Sequence, residues 1–433
     1  MSLSYLESID FLYALQKHGI KLGLEAIQAL LRRVGQPHQR YPSLHIAGTN
    51  GKGSTAAMIA AMLQAAGHRV GLYTSPHLID FRERIRVNGE PIPEAVVARL
   101  TQSLCKIVGG EVQPTFFEFT TALALLYFAD SDVEVAVVEV GMGGRLDATN
   151  VLTPLVSAIT NISIDHQLYL GNTIGSIATE KAGIIKPQVP VVVGPLSSEA
   201  AEVIEHIAEE RGAPLYHVNR DFRALGESPH EFNYRGLERS YSALSCSLEG
   251  AHQLDNAACA LAMLELACSR GIGLSEDAIR SGLKAVCWEG RLEHVERQPD
   301  LILDGAHNPA AATAVAAYLA TYRDAHPKSR VVMVIGMMCD KDHRRFLQTV
   351  LPYADEVVLT QADIPRAATC EELRSAMGER ATTAQAAPIA ADGLTLARRL
   401  AGSEDLILVT GSLMLVGEFK ALLRGCSLSP LRD

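Results

Sequence analysis

The chain has 433 residues, 48% of them hydrophobic, and a formal charge of −10. That length exceeds one ordinary domain and that apolar content can fill more than one core, so disorder is excluded and two domains are expected. The acidic balance disfavours general attraction to nucleic acid, leaving room for a local basic pocket that takes a small anion.

The eight cysteines include no C-x-x-C pair, which reads as reduced thiols of a cytoplasmic protein rather than a disulfide or zinc framework. The opening residues, MSLSYLESIDFLYAL, carry acids where an export signal would be basic. No stretch reaches about 18 uncharged apolar residues, so neither export nor membrane insertion is expected.

In chain order, the first informative element is SLHIAG, Ser43 to Gly48, an apolar run that predicts a strand. It turns on Gly48, Gly51 and Gly53 and continues as an alanine-rich stretch that reads as an amphipathic helix. A strand, a glycine loop and a helix N-terminus place backbone N–H groups around an anion, and Lys52 adds a mobile charge. The usual phosphate-loop pattern has Ser or Thr directly after the lysine; here Gly53 intervenes before Ser54. No N-K-x-D base-reading segment occurs, which argues against a GTPase.

FRERIRV, residues 81–87, alternates Arg82, Arg84 and Arg86. A strand would put all three guanidinia on one face, suited to a carboxylate-bearing tail, or to a solvated sheet edge. A helical pattern covers Phe116 to Ala129, and the next strand, VEVAVVEVG, ends with Glu139. An acid there needs a metal or a basic partner. Mg²⁺, which prefers oxygen ligands, would suit Glu139 with the hydroxyl of Ser75 or Ser54, and a salt bridge to Arg145 is the structural alternative. GMGGRL, residues 141–146, lacks the last glycine of a dinucleotide fingerprint, so a dehydrogenase is disfavoured.

PLVSAIT and VPVVVG supply further strands, with Asp165 and His166 following the first. His166 alone could simply cap a loop. Lys181 lies on a short helix ended by Gly183 and Pro187, and by itself the Glu180–Lys181 pair reads as a solvated face. Near-continuous Val and Ile in these strands suits a mainly parallel sheet covered on both faces.

FNYRGLERSYSALSCSLEG reads as a polar hairpin and CWEGR, residues 287–291, as a tryptophan-glycine hinge. DLILDG, RVVMVIG, DEVVLT and DLILVTG then form a second, smaller sheet, separated by alanine- and leucine-rich helical segments, with an alanine bias over 381–391 and no repeat. The division is placed between residues 294 and 295, giving domains 1–294 and 295–433. Asn308 before Pro309 has the ordinary role of a helix N-cap.

Taken together and in order, HIAGTNGKGS (45–54), YTSPHLIDFRERIRVNG (73–89), TFFEFTTALAL (115–125), EVGMGGRLDATN (139–150), DHQLYLG (165–171), TEKAGI (179–184), GR (290–291), DGAHNP (304–309) and TGSL (410–413) resemble the Mur ligase superfamily. Within it they resemble the folylpolyglutamate synthase and dihydrofolate synthase family, over nearly the full chain. There the lysine-glycine-serine loop is the expected form.

The resemblance implies an α/β fold, with an N-terminal, mainly parallel P-loop domain like the Mur ligase central domain and a smaller, Rossmann-like C-terminal domain. It implies an ATP-dependent amide ligase: a substrate carboxylate takes the γ-phosphoryl of ATP, and the α-amine of L-glutamate attacks the acyl phosphate. By matching motif, Gly48, Thr49, Asn50, Gly51, Lys52, Gly53 and Ser54 hold ATP phosphates, and Arg291, Asp304 and His307 engage ATP from the second domain. Ser75 and Glu139, with Ser54 close by, would bind one Mg²⁺. His166 resembles a ligand of a second Mg²⁺, and Lys181 matches a lysine carbamylated by CO₂. Lys52, Lys181, His166 and Glu139 would form the catalytic set.

Asp147 and Ala148 resemble positions of a pterin or folate site, to which Phe116 and Phe117 could add an aromatic wall or equally be core, and Arg82 a cation for the carboxylate tail. Glu289 stands where many relatives would have proline. Dihydropteroate and reduced folates both remain open as acceptors, and a monomer acting on small molecules alone is expected. The alternatives are a cell-wall Mur ligase, which would need an extra domain in the roughly 40 residues before the loop, and a non-catalytic ATP-binding switch.

Overall fold

Strand by strand, the valine- and isoleucine-rich runs form two sheets in the computed structural model, which describes residues 3–19, 21, 23–108 and 113–429. The first is built from β1 (Ser43–Ala47), β2 (Val70–Tyr73), β3 (Ile85–Val87), β4 (Glu90–Pro91), β5 (Val135–Glu139), β6 (Val156–Ile159), β7 (Val191–Val193) and β8 (Leu215–His217). Its order is β4-β3-β2-β5-β1-β6-β7-β8, parallel from β2 through β8, with β3 and β4 joined antiparallel at one edge. Alternation sorts the side chains: Val135 and Val137 face the core under helix Lys52–Ala65, while Ala136 and Val138 face the core under helix Phe116–Asp130. Glu139 continues the first series, so its carboxylate falls on the side of the glycine loop.

Helix Lys52–Ala65 is not amphipathic as its sequence suggests. It is buried almost continuously from Gly53 to Leu63, between the sheet and helices His252–Cys268 and Glu276–Ala285. Alanine makes this possible, because small side chains let neighbours approach on every face.

FRERIRV corrects a second expectation. Phe81–Arg84 is a 3₁₀ turn opened by Asp80, whose side chain accepts the Arg82 N–H while Glu83 reaches back to the Asp80 N–H, and only Ile85–Val87 is strand. The three arginines therefore do not share a face.

The hairpin is present as β10 (Glu231–Arg235) and β11 (Ser240–Leu244), extended by β9 (Arg223–Ser228) into a three-stranded antiparallel sheet. The second large sheet comprises β12 (Glu293–Glu296), β13 (Asp300–Leu303), β14 (Val331–Ile335), β15 (Glu356–Gln361), β16 (Ala384–Ile389) and β17 (Leu406–Thr410). It has the order β12-β13-β17-β14-β15-β16, parallel except for β12. Residues 294 and 295 lie inside β12, so this sheet starts a few residues before the expected division, and β16 occupies the alanine-biased segment. Among the described residues, no helix is long and apolar enough to cross a membrane.

Candidate active site

Parallel strands bring their carboxyl ends to one edge, where ligands of open α/β sheets gather. Here β1 runs into Gly48, β2 into Ser75, β5 ends at Glu139 and β6 runs into Thr160 and Asn161. A cleft of about 800 Å³ opens on this edge. Its first wall carries the glycine loop, Ser75, Glu139, Asp147 and His166, and its second carries Arg291, Asp304, His307, Lys341 and Ser412.

The loop is held from both sides. Thr49 N–H donates to the Asn161 carbonyl and Asn50 N–H to the Asn161 side chain, each at 2.9 Å. Those two amides are therefore committed within the protein. The amides of Lys52, Gly53 and Ser54 open the helix with no carbonyl behind them, which leaves them free for an anion.

Gly51 caps the helix with φ of 83°, a conformation side-chain-bearing residues avoid. Gly53 is fixed by space: a Cβ there would lie 2.8 Å from Nε1 of Trp288. The lysine-glycine-serine order thus reflects the tryptophan of the CWEGR segment packed over the helix start. Lys52 Nζ donates to the Gly48 and Thr49 carbonyls, 3.2 Å each.

Glu139 is 4% exposed and accepts the Ser75 N–H at 3.0 Å. Arg145 pairs instead with Glu180 at 2.7 Å, so the salt bridge considered for Glu139 is not formed. Burial raises the Glu139 pKa, with Lys52, the Ser75 N–H and Arg291 opposing. Among the described residues, no group of three His, Cys, Asp or Glu side chains could hold a metal. An ion here would rest on one carboxylate with hydroxyl, phosphate and water oxygens, a donor set that fits Mg²⁺.

Lys181 is 4% exposed and lies behind the loop, its Nζ donating to the Gly48 carbonyl at 2.7 Å, not on a solvated face. Burial, then Lys52, lowers its pKa to about 7. His166 sits in left-handed backbone at the mouth of the cleft.

From the second wall, Asp304 accepts Leu292 N–H and Ala306 N–H, both 2.9 Å, which fixes the turn carrying Arg291. His307 donates from Nδ1 to the Gly305 carbonyl at 2.8 Å. Asn308 caps its helix as expected, its carboxamide oxygen accepting Ala311 N–H, and it also exchanges hydrogen bonds with Asn50. Glu289, in place of proline, pairs with Arg424 at 2.5 Å and Lys420 at 3.3 Å, while Glu293 accepts Gly290 N–H and pairs with Lys420 at 2.5 Å.

For an apolar ligand, Phe116 and Phe117 line the cleft, Phe116 serving the core as well, beside Asp147 and Ala148. Arg82 does not join them. It pairs with Asp80 at 2.9 Å and borders a separate depression. Arg84 takes its place in the cleft: 1% exposed, it donates to His77 at 2.8 Å and lies 5.3 Å over the Phe116 ring. Arg86 lies over Trp288.

Several cleft residues were missed by sequence reasoning. Asn256, on helix His252–Cys268, stands where a Gly51 side chain would be; the polar run HQLDN opening an otherwise apolar helix was its only signal. Lys341 pairs across the cleft with Asp165 at 2.6 Å, and Asp165 also accepts from Asn308 at 3.0 Å. Burial would raise the Asp165 pKa, but His307, His166 and Lys341 outweigh it and hold the carboxyl below the usual range.

Comparison with known proteins agrees with this architecture. The Mur ligase middle domain matches residues 46–264, and the Mur ligase glutamate ligase domain matches residues 290–413. The chain is 36% identical over 438 residues to the dihydrofolate synthase/folylpolyglutamate synthase of Bacillus subtilis (strain 168), covering 98% of this chain and 100% of that protein. Among solved structures, E. coli FolC in complex with DHPP and ADP superposes with a TM-score of 0.88 at 33% identity, over 98% of both chains. The bifunctional folylpolyglutamate synthase/dihydrofolate synthase of Yersinia pestis, complexed with AMPPNP and Mn ion, gives 0.87 at 33%, also over 98% of both. With both domains matched and full-length relatives of this identity, the chain belongs to the folylpolyglutamate synthase/dihydrofolate synthase family of Mur ligases.

Proposed function

We propose that this chain is an ATP-dependent ligase that joins L-glutamate to the carboxylate of a pterin or folate through an acyl phosphate. The observation that carries the reading is a buried carboxylate, Glu139, on the same side of the sheet as the lysine-bearing glycine loop, in a cleft walled by both domains. Relatives with ADP, AMPPNP and Mn bound support the nucleotide and the divalent ion.

The amides of Lys52, Gly53 and Ser54 and the Lys52 ammonium bind and align the phosphates. Glu139 and Ser75, with Ser54, would hold Mg²⁺, and His166 a second ion; bound there, the metal neutralises charge developing on the transferred phosphoryl group. Arg291, Asp304 and His307 complete the nucleotide site from the second wall, and closure of the walls keeps water from the acyl phosphate. The pterin ring lies against Phe116, Phe117 and Ala148 with Asp147 at its polar edge, and Arg84 is the cation for its carboxylate tail. At a pKa of about 7, the Lys181 amine is substantially neutral near physiological pH. It can add to CO₂ with loss of a proton, giving an anionic carbamate next to the loop. Eight free thiols suit the cytoplasm.

The test is to incubate the purified chain with Mg-ATP, L-glutamate and either dihydropteroate or tetrahydrofolate, measuring ADP and product mass. One glutamyl unit added per ADP is expected, and ATP consumption that needs neither pterin nor amino acid would refute the reading. Lys181→Ala should lower turnover at least about 100-fold while the circular-dichroism spectrum is kept; near-normal turnover would remove the carbamate from the mechanism.

A further inference from the structure

Asp147 has its carboxylate at the cleft while its other contacts lead into the sheet. Oδ2 accepts Met142 N–H at 2.9 Å, and Oδ1 accepts Thr149 N–H at 3.0 Å and the Thr149 hydroxyl at 2.5 Å. A hydroxyl has one proton to give. With that proton on Asp147, Thr149 Oγ1 can only accept from its other partner, Nε2 of His45, at 2.8 Å.

His45 is the middle residue of β1, on the face opposite the helix under the glycine loop, and it is 0% exposed. Burial, reinforced by Lys186, lowers its pKa to about 3, so the ring carries one proton, which the contact with the accepting Thr149 Oγ1 assigns to Nε2. Nδ1 has no hydrogen-bond partner among the described residues. An unmet buried acceptor costs about 1–3 kcal/mol, which valine or isoleucine in this strand would avoid. The one polar contact offsetting that cost runs to Thr149, and through it to Asp147.

We propose that His45 and Thr149 are positioning residues for substrate recognition, a two-step hydrogen-bond relay that fixes the Asp147 carboxylate as the acceptor for the N–H edge of a pterin ring. This rests on the ligase reading above. The relay removes the rotational freedom of the Thr149 hydroxyl and commits its proton to Asp147 Oδ1. Of the roughly four acceptor sites of the carboxylate, Oδ1 is filled by Thr149 and Oδ2 keeps one beside Met142 N–H for a single ring N–H donor.

The test compares Thr149→Val, His45→Leu and the double variant, with Thr149→Ser and His45→Gln as replacements that keep a donor. Each disruptive single variant should raise the KM for dihydropteroate about five- to tenfold, the scale of one ordinary net hydrogen bond, with the KM for ATP unchanged within about twofold. The double variant should be no worse than the worse single, because either cut breaks the same chain. Thr149→Ser and His45→Gln should recover most of the loss. Should His45→Leu fail to fold, Thr149→Val carries the comparison.

Separately, two-bond ¹⁵N–¹H spectra of the unsubstituted protein should show His45 as the neutral Nε2–H tautomer. An Nδ1–H tautomer, additive effects, or a parallel rise in the KM for ATP would overturn the relay. If the unsubstituted chain turns over no pterin, the ligase reading and this inference fall together. If it does so but is indifferent to Thr149→Val, the inference alone fails.

Discussion

Burial acts on three ionisable residues, Glu139 and Lys181 at the site and His45 behind it, in the direction the charge of each requires. The Glu139 carboxyl is pushed up, and the Lys181 amine and His45 ring are pushed down. For His45 the consequence is measurable without any ligand. Unfolded, the imidazole titrates near its ordinary value of about 6.5; folded, it titrates at about 3. Between those values the unfolded chain binds a proton that the folded chain refuses. This stability is complete above the unfolded pKa and is lost as pH falls toward the folded one, by up to about 1.4 kcal/mol per pH unit. Urea unfolding at pH 7, 6 and 5 should show a gap between the unsubstituted protein and His45→Gln that narrows as the pH falls. A gap independent of pH would mean that His45 titrates alike in both states.

At the level of single elements, the glycine loop is shaped as much by the hinge above it as by the ligand it takes. Gly53→Ala would press a methyl group to 2.8 Å from the Trp288 ring nitrogen, an overpacking that typically costs about 1–3 kcal/mol. The expected result is an ATP KM raised about tenfold, consistent with that range, and relieved in the Gly53→Ala/Trp288→Ala double variant. Equal ATP binding by Gly53→Ala would show that the tryptophan moves aside freely.

The sequence disclosed those elements whose cause is local. The Val and Ile runs gave the parallel strands, the three glycines gave the loop, and Asn308–Pro309 gave a helix start. It misled where two local signals competed: the alternation of Arg82, Arg84 and Arg86 reads as strand, yet DFRE from Asp80 to Glu83 is a capping box, and the cap won. Helix Lys52–Ala65 carried no periodicity that could mark burial on all sides. Arg84, Asn256 and Lys341 became site residues only through tertiary contacts with Phe116, Gly51 and Asp165. No spacing along the chain encodes those contacts.

Across the whole molecule, the two domains meet through polar and apolar contacts together. Asp165–Lys341 and Asn50–Asn308 cross the cleft, while Leu78 and Ile79 of the first domain pack into the apolar core of the second, against helix Leu413–Arg424. Both partners are less than 10% exposed, and removing the lysine leaves Asp165 with Asn308, His307 and His166 alone, a loss smaller than the about 3–5 kcal/mol of a fully unpaired buried charge. Lys341→Met should therefore favour separation of the domains, seen as a larger radius of gyration by small-angle X-ray scattering of the ligand-free protein. An unchanged radius would show that the apolar contact alone keeps the domains together. Because the sequence contains a single tryptophan, and that residue covers the start of the phosphate-loop helix, all tryptophan fluorescence from this protein originates where the linker between the domains touches the nucleotide loop. Nucleotide arrival and domain motion can thus be followed in real time by emission from the unlabelled chain.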